Sequence, residues 1–187
     1  MTSDAWPRLI ADKGYEAVIF DCDGTLVESS EAHFLAFQSA VQAQGYAMER
    51  AWYESRTGLD RQSTLAAFSE IASGSFDIEL AVADSIGAFI RNSANVTPIC
   101  ETTDLVRLLW PSVELAVVTN SEDEVANASL SQIGLREHFD HIVSISSGLP
   151  PKPALDMFVA AITAMTTAAN GTLIFEDSRE GVQAGLR

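Results

Sequence analysis

The sequence predicts an α/β protein: a doubly wound parallel sheet with a helical cap subdomain inserted after its first strand. Three observations carry that reading. Short apolar runs at 16–20, 114–118 and 172–175 show no polar alternation, as expected of strands buried on both faces. Amphipathic helical patterns separate most of these runs, and strand–helix alternation argues for a parallel sheet joined by right-handed crossovers. The stretch from 30 to 95 breaks the alternation, with helical periodicity and no convincing strand.

The first run, Glu16-Ala17-Val18-Ile19-Phe20, leads at once into Asp21-Cys22-Asp23-Gly24-Thr25. In the helical stretch Phe34, Phe37 and Val41 share one face, Leu65, Phe68 and Ile71 a second, and Val82, Ile86, Phe89 and Ile90 a third. Helices inserted there form a small subdomain over the sheet's active edge. The expected division is therefore an α/β core of 1–29 and 96–187 and a helical cap of 30–95. After Thr103, the spacing of Val106, Leu109 and Trp110 predicts a helix before the second run, Glu114-Leu115-Ala116-Val117-Val118. That run closes on Thr119-Asn120-Ser121, and Val125, Leu130 and Ile133 mark a further helix that Gly134 stops. His141–Ile145 is a weaker strand candidate. Leu155, Phe158, Val159 and Ile162 predict a helix after Pro151-Lys152-Pro153. The last run, Thr172-Leu173-Ile174-Phe175, ends in Glu176-Asp177-Ser178.

The 187 residues are 47% apolar and 20% charged, which suits one packed globular chain. Acids outnumber bases 26 to 11, for a formal charge of −15. Such a surface repels phosphate backbones, so nucleic-acid binding through a basic face is excluded. It also makes any phosphorylated substrate depend on a local lysine or metal. No apolar run approaches the roughly 18 residues of a membrane span. The N-terminus has neither the basic start nor the apolar stretch of a secretory signal. Two cysteines, Cys22 and Cys100, make no disulfide framework. The expectation is a cytoplasmic protein whose partner is a small phosphorylated molecule, with no nucleic-acid or membrane partner.

In doubly wound sheets, ligands bind beyond the carboxyl ends of the strands. Here those ends carry Asp21 and Asp23, Thr119 and Asn120, and Glu176 and Asp177. An Asp-x-Asp-Gly segment serves equally as a plain turn. A calcium loop fails, because the sixth and twelfth positions from Asp21 are Leu26 and Ala32, where glycine and glutamate are needed. Two carboxylates two residues apart on extended chain face one cavity, as a nucleophile and a general acid/base would. Thr119-Asn120-Ser121 suits a helix cap, and a helix start with free amides is itself an anion site. Lys152 is stiffened by a proline on each side and is one of few cations available to balance a phosphate. Adjacent acids at Glu176-Asp177 repel unless a cation sits between them.

Asp21-Cys22-Asp23-Gly24-Thr25-Leu26 after an apolar strand resembles the first signature of the haloacid dehalogenase superfamily of aspartate-nucleophile phosphohydrolases. Thr119 resembles the hydroxyl residue of its second motif, Lys152 the lysine of its third, and Glu176-Asp177 the acidic pair of its fourth. Phe175-Glu176-Asp177-Ser178 with Gly181-Val182 and Ala184-Gly185 is similar to the branch containing β-phosphoglucomutase and many sugar-phosphate phosphatases.

The resemblance implies a magnesium-dependent phosphatase acting on a small phosphorylated metabolite such as a sugar phosphate. Asp21 would form an aspartyl-phosphate, and Asp23 would protonate the leaving oxygen and then activate water. Mg2+ would be held by Asp21, the main-chain carbonyl of Asp23, Glu176 and Asp177. Thr119, the Asn120 amide and Lys152 would hold the transferring oxygens. His33, twelve residues after Asp21, falls where relatives carry a histidine near the hinge. Gly58-Leu59-Asp60-Arg61, followed by Leu65, resembles a substrate-reading cap loop, which implies that Arg61 contacts the non-reacting end of an anionic substrate. Members of this branch continue about 30 residues further, the length of one more strand and helix, so the resemblance implies that a C-terminal strand and helix are missing here. Two alternatives stand beside the phosphatase: a phosphomutase of the β-phosphoglucomutase type, and a non-turnover phospho-accepting or binding module. Receiver-type modules of the latter kind use the same residue types but lack a helical insertion after the first strand.

Overall fold

The structure is a computed structural model and describes residues 5–56 and 59–186. Gly58 of the expected cap loop and the terminal Arg187 lie outside the described residues. In chain order the elements are α1 (Ala5–Lys13), β1 (Ala17–Phe20), β2 (Val27–Glu28), α2 (Ser30–Ala43), α3 (Arg50–Glu54), α4 (Arg61–Ser69), α5 (Ile78–Arg91), β3 (Thr97–Pro98), α6 (Cys100–Leu109), β4 (Glu114–Val118), α7 (Asp123–Gln132), β5 (His141–Val143), α8 (Asp156–Ala164), β6 (Thr172–Phe175) and α9 (Arg179–Gly185).

Four parallel strands form the main sheet in the order β5-β4-β1-β6. β1 pairs Ala17 with Glu114 on one side and with Thr172 on the other. It is fully buried, which is why it reads as an unbroken apolar run. Side chains alternate between faces along a strand. Val18 and Phe20 therefore join the core built with α1, α6 and α7, while Ala17 and Ile19 join the core of α8 and α9. Phe20 stacks on Phe175 with ring centres 5.0 Å apart. Each such side chain contributes about 1.5–3 kcal/mol on burial.

The strand order puts β6 on the opposite side of β1 from β4, so the chain reverses direction across the sheet at β1. The carboxyl ends of β1, β4 and β6 thus open onto one crevice.

β2 and β3 pair antiparallel, Val27 with Pro98 and Glu28 with Thr97. This ribbon brackets α2–α5 where the chain leaves and re-enters the sheet region. α2 presents Ala32, Ala36 and Ala40 at a spacing of four, and α5 presents Ala81, Ser85 and Ala88. Small residues on facing helices let the two axes approach closely, and these two helices pack on each other more extensively than any other pair. Phe37, Val41, Met48, Leu65 and Phe68 form a separate apolar cluster among these helices. Asp60 and Asp77 cap α4 and α5 by accepting from the backbone amides of Ser63 and Leu80, at 2.9 and 3.0 Å.

Several expected helix faces are rotated or shortened. Ile71 is exposed because α4 ends at Ser69. Ile90 is exposed because the inward stripe of α5 is its small residues and Phe89. α8 buries Met157, Phe158 and Ala161, leaving Leu155 and Val159 exposed. Trp110 follows the end of α6 and stands half exposed. The fourth strand is shorter than expected, ending at Val143. α1, which the pattern did not announce, docks through Ile10 and sets Trp6 edge-on to Phe175, with centres 5.0 Å apart. No helix among the described residues is long and apolar enough to cross a membrane.

Candidate active site

Beyond Phe20 the chain bends at Cys22, with Asp21 and Asp23 lining the crevice while Cys22 joins the buried core. Burial, reinforced by Asp23 and Asp21, pushes the Cys22 thiol pKa well up, so it stays neutral. Gly24 then takes φ +87°, and its amide bonds the Val27 carbonyl at 2.8 Å, closing the turn. A positive φ of that size suits glycine.

Asp21 is buried beside Lys152, which the loop between β5 and α8 delivers to the same point. The Lys152 Nζ stands 2.6 Å from Asp21 Oδ1 and 2.6 Å from Glu176 Oε2. Burial works against the lysine's charge, but the two carboxylates outweigh it and raise its pKa. Burial likewise pushes the Asp21 carboxyl up, to about 8, with Glu176 and Asp23 adding to the rise and Lys152 opposing it. Asn120 fixes the lysine loop. Its Oδ1 accepts from the Lys152 backbone amide at 2.9 Å and its Nδ2 donates to the Lys152 carbonyl at 3.3 Å. The Asn120 side chain is therefore spent on the backbone of Lys152. Its own main-chain amide is the group left to meet an anion.

Glu176 is held from its other oxygen by the Ser178 amide at 3.0 Å and hydroxyl at 2.7 Å. Asp177 projects outward and accepts from the Thr25 hydroxyl at 3.2 Å. Burial and the Glu176 charge raise its pKa. Ligand oxygens of Asp21, Glu176 and Asp177 lie within 4.8 Å of one another. Three carboxyl groups face one ammonium there, and hard oxygen donors of this kind fit a divalent cation such as magnesium. Such a cation would also oppose the upward pKa shifts of Asp21 and Asp177.

The Asp23 side chain turns away from that cluster. It accepts from Ser29 Oγ at 2.5 Å and Ser121 Oγ at 2.6 Å, and His33 Nε2 lies 3.1 Å from its Oδ1. Burial alone would raise its pKa, but His33 and the two hydroxyls reverse the effect and hold it well below the usual carboxylate range. His33 leans on the Phe89 ring, centres 4.4 Å apart. Thr119 is buried, and its hydroxyl accepts from the Ser121 amide at 3.1 Å, so the end of β4 sets both residues.

Above these groups lies a cavity of about 520 Å³, walled on the helical side by His33, Phe37, Tyr53, Arg61 and Thr64. Burial and then the Asp23 charge push the Tyr53 hydroxyl up to about 12. Arg61 faces this cavity but is itself buried and bonded to Glu122 and Ser85.

All nine residues singled out from the sequence line or adjoin this one space. Ser29, Thr25, Ser121 and Ser178 were missed as partners of the acids. Thr25, Ser121 and Ser178 lay inside the motifs, where hydroxyls beside carboxylates were the available signal. Glu122 carried no signal at all.

A family model described as haloacid dehalogenase-like hydrolase matches residues 18–187. The fructose-1-phosphate phosphatase YqaB of Escherichia coli (strain K12) is 25% identical over 173 residues, covering 91% of this chain and 90% of that protein. CbbY of Rhodobacter sphaeroides, solved in complex with phosphate, superposes with a TM-score of 0.84 at 24% identity, covering 92% of this chain and 82% of that one. A mutant of the same protein, in complex with xylulose-(1,5)bisphosphate, gives a TM-score of 0.83 at the same identity and coverage.

Proposed function

Because the chain belongs to the haloacid dehalogenase-like hydrolases, we propose that it is a magnesium-dependent phosphatase that hydrolyses a small phosphorylated metabolite, a sugar phosphate or similar polyol phosphate. The observation that carries this reading is the Lys152 ammonium set between Asp21 and Glu176 at the floor of a walled cavity. The named activity of YqaB supports the substrate class. Residues 30–95 act as a cap over a core of 1–29 and 96–187.

Asp21 attacks phosphorus in line. A bond forms from its carboxylate oxygen to phosphorus as the ester bond from phosphorus to the leaving oxygen breaks. Asp23 gives its proton to that oxygen, and the alcohol departs. Water then attacks the aspartyl-phosphate, Asp23 takes the water's proton, and Asp21 is released with inorganic phosphate. Asp23 rests ionised on Ser29, Ser121 and His33, so the proton it gives is first taken up from water as an entering ester displaces one of those partners. Lys152, Thr119 and the Asn120 main-chain amide face the charge that gathers on the phosphoryl oxygens. Asp21, the Asp23 carbonyl, Glu176 and Asp177 would hold the cation, which when bound supplies Lewis-acid charge neutralisation.

Continuous phosphate release is the test. The protein with Mg2+ is assayed on p-nitrophenyl phosphate and a set of sugar phosphates. Steady turnover supports the reading. Phosphorylation that stops at one equivalent, or no release from any ester, overturns it.

A further inference from the structure

Resting on the phosphatase reading, we propose that Glu122 selects against substrates with a second anionic group, by occupying the guanidinium that would otherwise receive it. The favoured leaving group is a neutral polyhydroxy group.

Arg61 is 5% exposed, although it borders the cavity. Its Nε donates to both carboxylate oxygens of Glu122, at 3.0 and 2.9 Å. Its Nη1 donates to Ser85 Oγ at 3.1 Å, and its guanidinium carbon lies 4.9 Å from the centre of the Phe37 ring. Glu122 comes from the loop after β4, Ser85 from α5 and Phe37 from α2. The arginine is therefore gripped from three elements. Glu122 directly follows Ser121, whose hydroxyl holds Asp23 at 2.6 Å. The loop that sets the general acid thus also sets the arginine's partner.

Two other cations that line the cavity are also engaged. Lys152 is engaged by Asp21 and Glu176. Arg56 lies over the Trp52 ring, 4.1 Å from its centre, and donates to the Trp52 carbonyl and Ser55 hydroxyl at 3.1 and 2.8 Å. Arg179 is exposed. A second phosphate near Arg61 meets the like charge of Glu122, and taking the arginine for itself strands that carboxylate in a mostly buried place. A sugar's hydroxyls incur no such penalty, and the Tyr53 and Thr64 side chains on the same walls offer hydrogen-bond partners. Discrimination of this kind is built from a repulsive element against the wrong substrate.

The test compares kcat/KM for fructose 1-phosphate and fructose 1,6-bisphosphate, with p-nitrophenyl phosphate as a reference lacking any distal group. The native protein should favour the monophosphate by about tenfold or more. Glu122→Gln keeps an acceptor for Arg61 but removes the charge. It should raise the bisphosphate relative to the monophosphate by about tenfold, leaving the monophosphate and the aryl ester within about threefold. Glu122→Asp retains the charge and should retain the native preference. A native preference for the bisphosphate, or an unchanged ratio in a folded Glu122→Gln, overturns the inference while the phosphatase reading stands. Should Glu122→Gln not fold, the native ratio decides alone. No release from any of the three esters overturns the phosphatase reading and this inference with it.

Discussion

No space for a side chain separates Gly181 from Glu176: a Cβ on Gly181 would overlap the Cδ and Oε2 of the glutamate. The first turn of α9 therefore presses on a carboxylate that pairs with Lys152, and a hydrogen atom at that position is a condition of the ion pair. Ser178 joins the two, since its hydroxyl donates to Glu176 at 2.7 Å and accepts from the Gly181 amide at 3.0 Å.

Gly181→Ala should accordingly damage the site more than the fold. Alanine favours a helix over glycine by up to about 1 kcal/mol, so α9 itself gains. Glu176, however, must swing away from Lys152. The expected outcome is a kcat lowered by about tenfold or more with a melting temperature changed by only a few degrees. Steady-state kinetics beside thermal melts check it, and full activity would show that Glu176 is not needed where it stands.

Asp21→Asn should keep the fold and lose turnover. The amide has nearly the carboxylate's shape but cannot attack phosphorus, so the loss should reach several powers of ten, each about 1.4 kcal/mol of barrier. A rate within tenfold of the native protein would assign the nucleophile elsewhere.

Magnesium should bind measurably without any substrate. At a hundredfold excess over its dissociation constant, a ligand specific for the folded state adds about 2.7 kcal/mol of stability, so the melting temperature should climb with added Mg2+. Asp177→Ala should flatten that climb by weakening the affinity about tenfold or more. Excess chelator should stop phosphate release. Undiminished turnover in chelator would remove the metal from the chemistry.

Asp23 predicts a pH dependence of stability. Its folded pKa lies well below the ordinary carboxylate value of 3.8, so the unfolded chain takes up its proton first as pH falls. The stabilisation is therefore fully present above that ordinary value and is lost as pH drops through the folded one. Asp23→Asn should cost on the order of 2 kcal/mol near neutral pH, and the gap to the native protein should narrow steadily in acid. Melts of both proteins across the acid range measure it. A gap independent of pH would mean that the contacts of Asp23 do not depend on its charge.

The sequence by itself determined the strands and the chemistry at their ends. An unalternating run such as Val18-Ile19-Phe20 has few ways to satisfy its burial other than inside a covered parallel sheet. The acids that follow such runs must then emerge where the crossovers leave room for a ligand. Caps and turns were legible for the same local reason, because Gly24 and Gly134 act within a few residues of their position. Partnership was not legible. Lys152 meets Asp21 across 131 positions and Arg61 meets Glu122 across 61. No spacing encodes either meeting, since each depends on where loops from different strands end in space. The same holds for Asn120, whose side chain the tertiary structure spends on the Lys152 backbone 32 positions away. It holds too for α5, which buries Ala81, Ser85, Ala88 and Phe89 in place of Ile90, because its neighbours in space set which stripe turns inward. Periodicity reports that a residue has a buried face; only packing decides what lies against it.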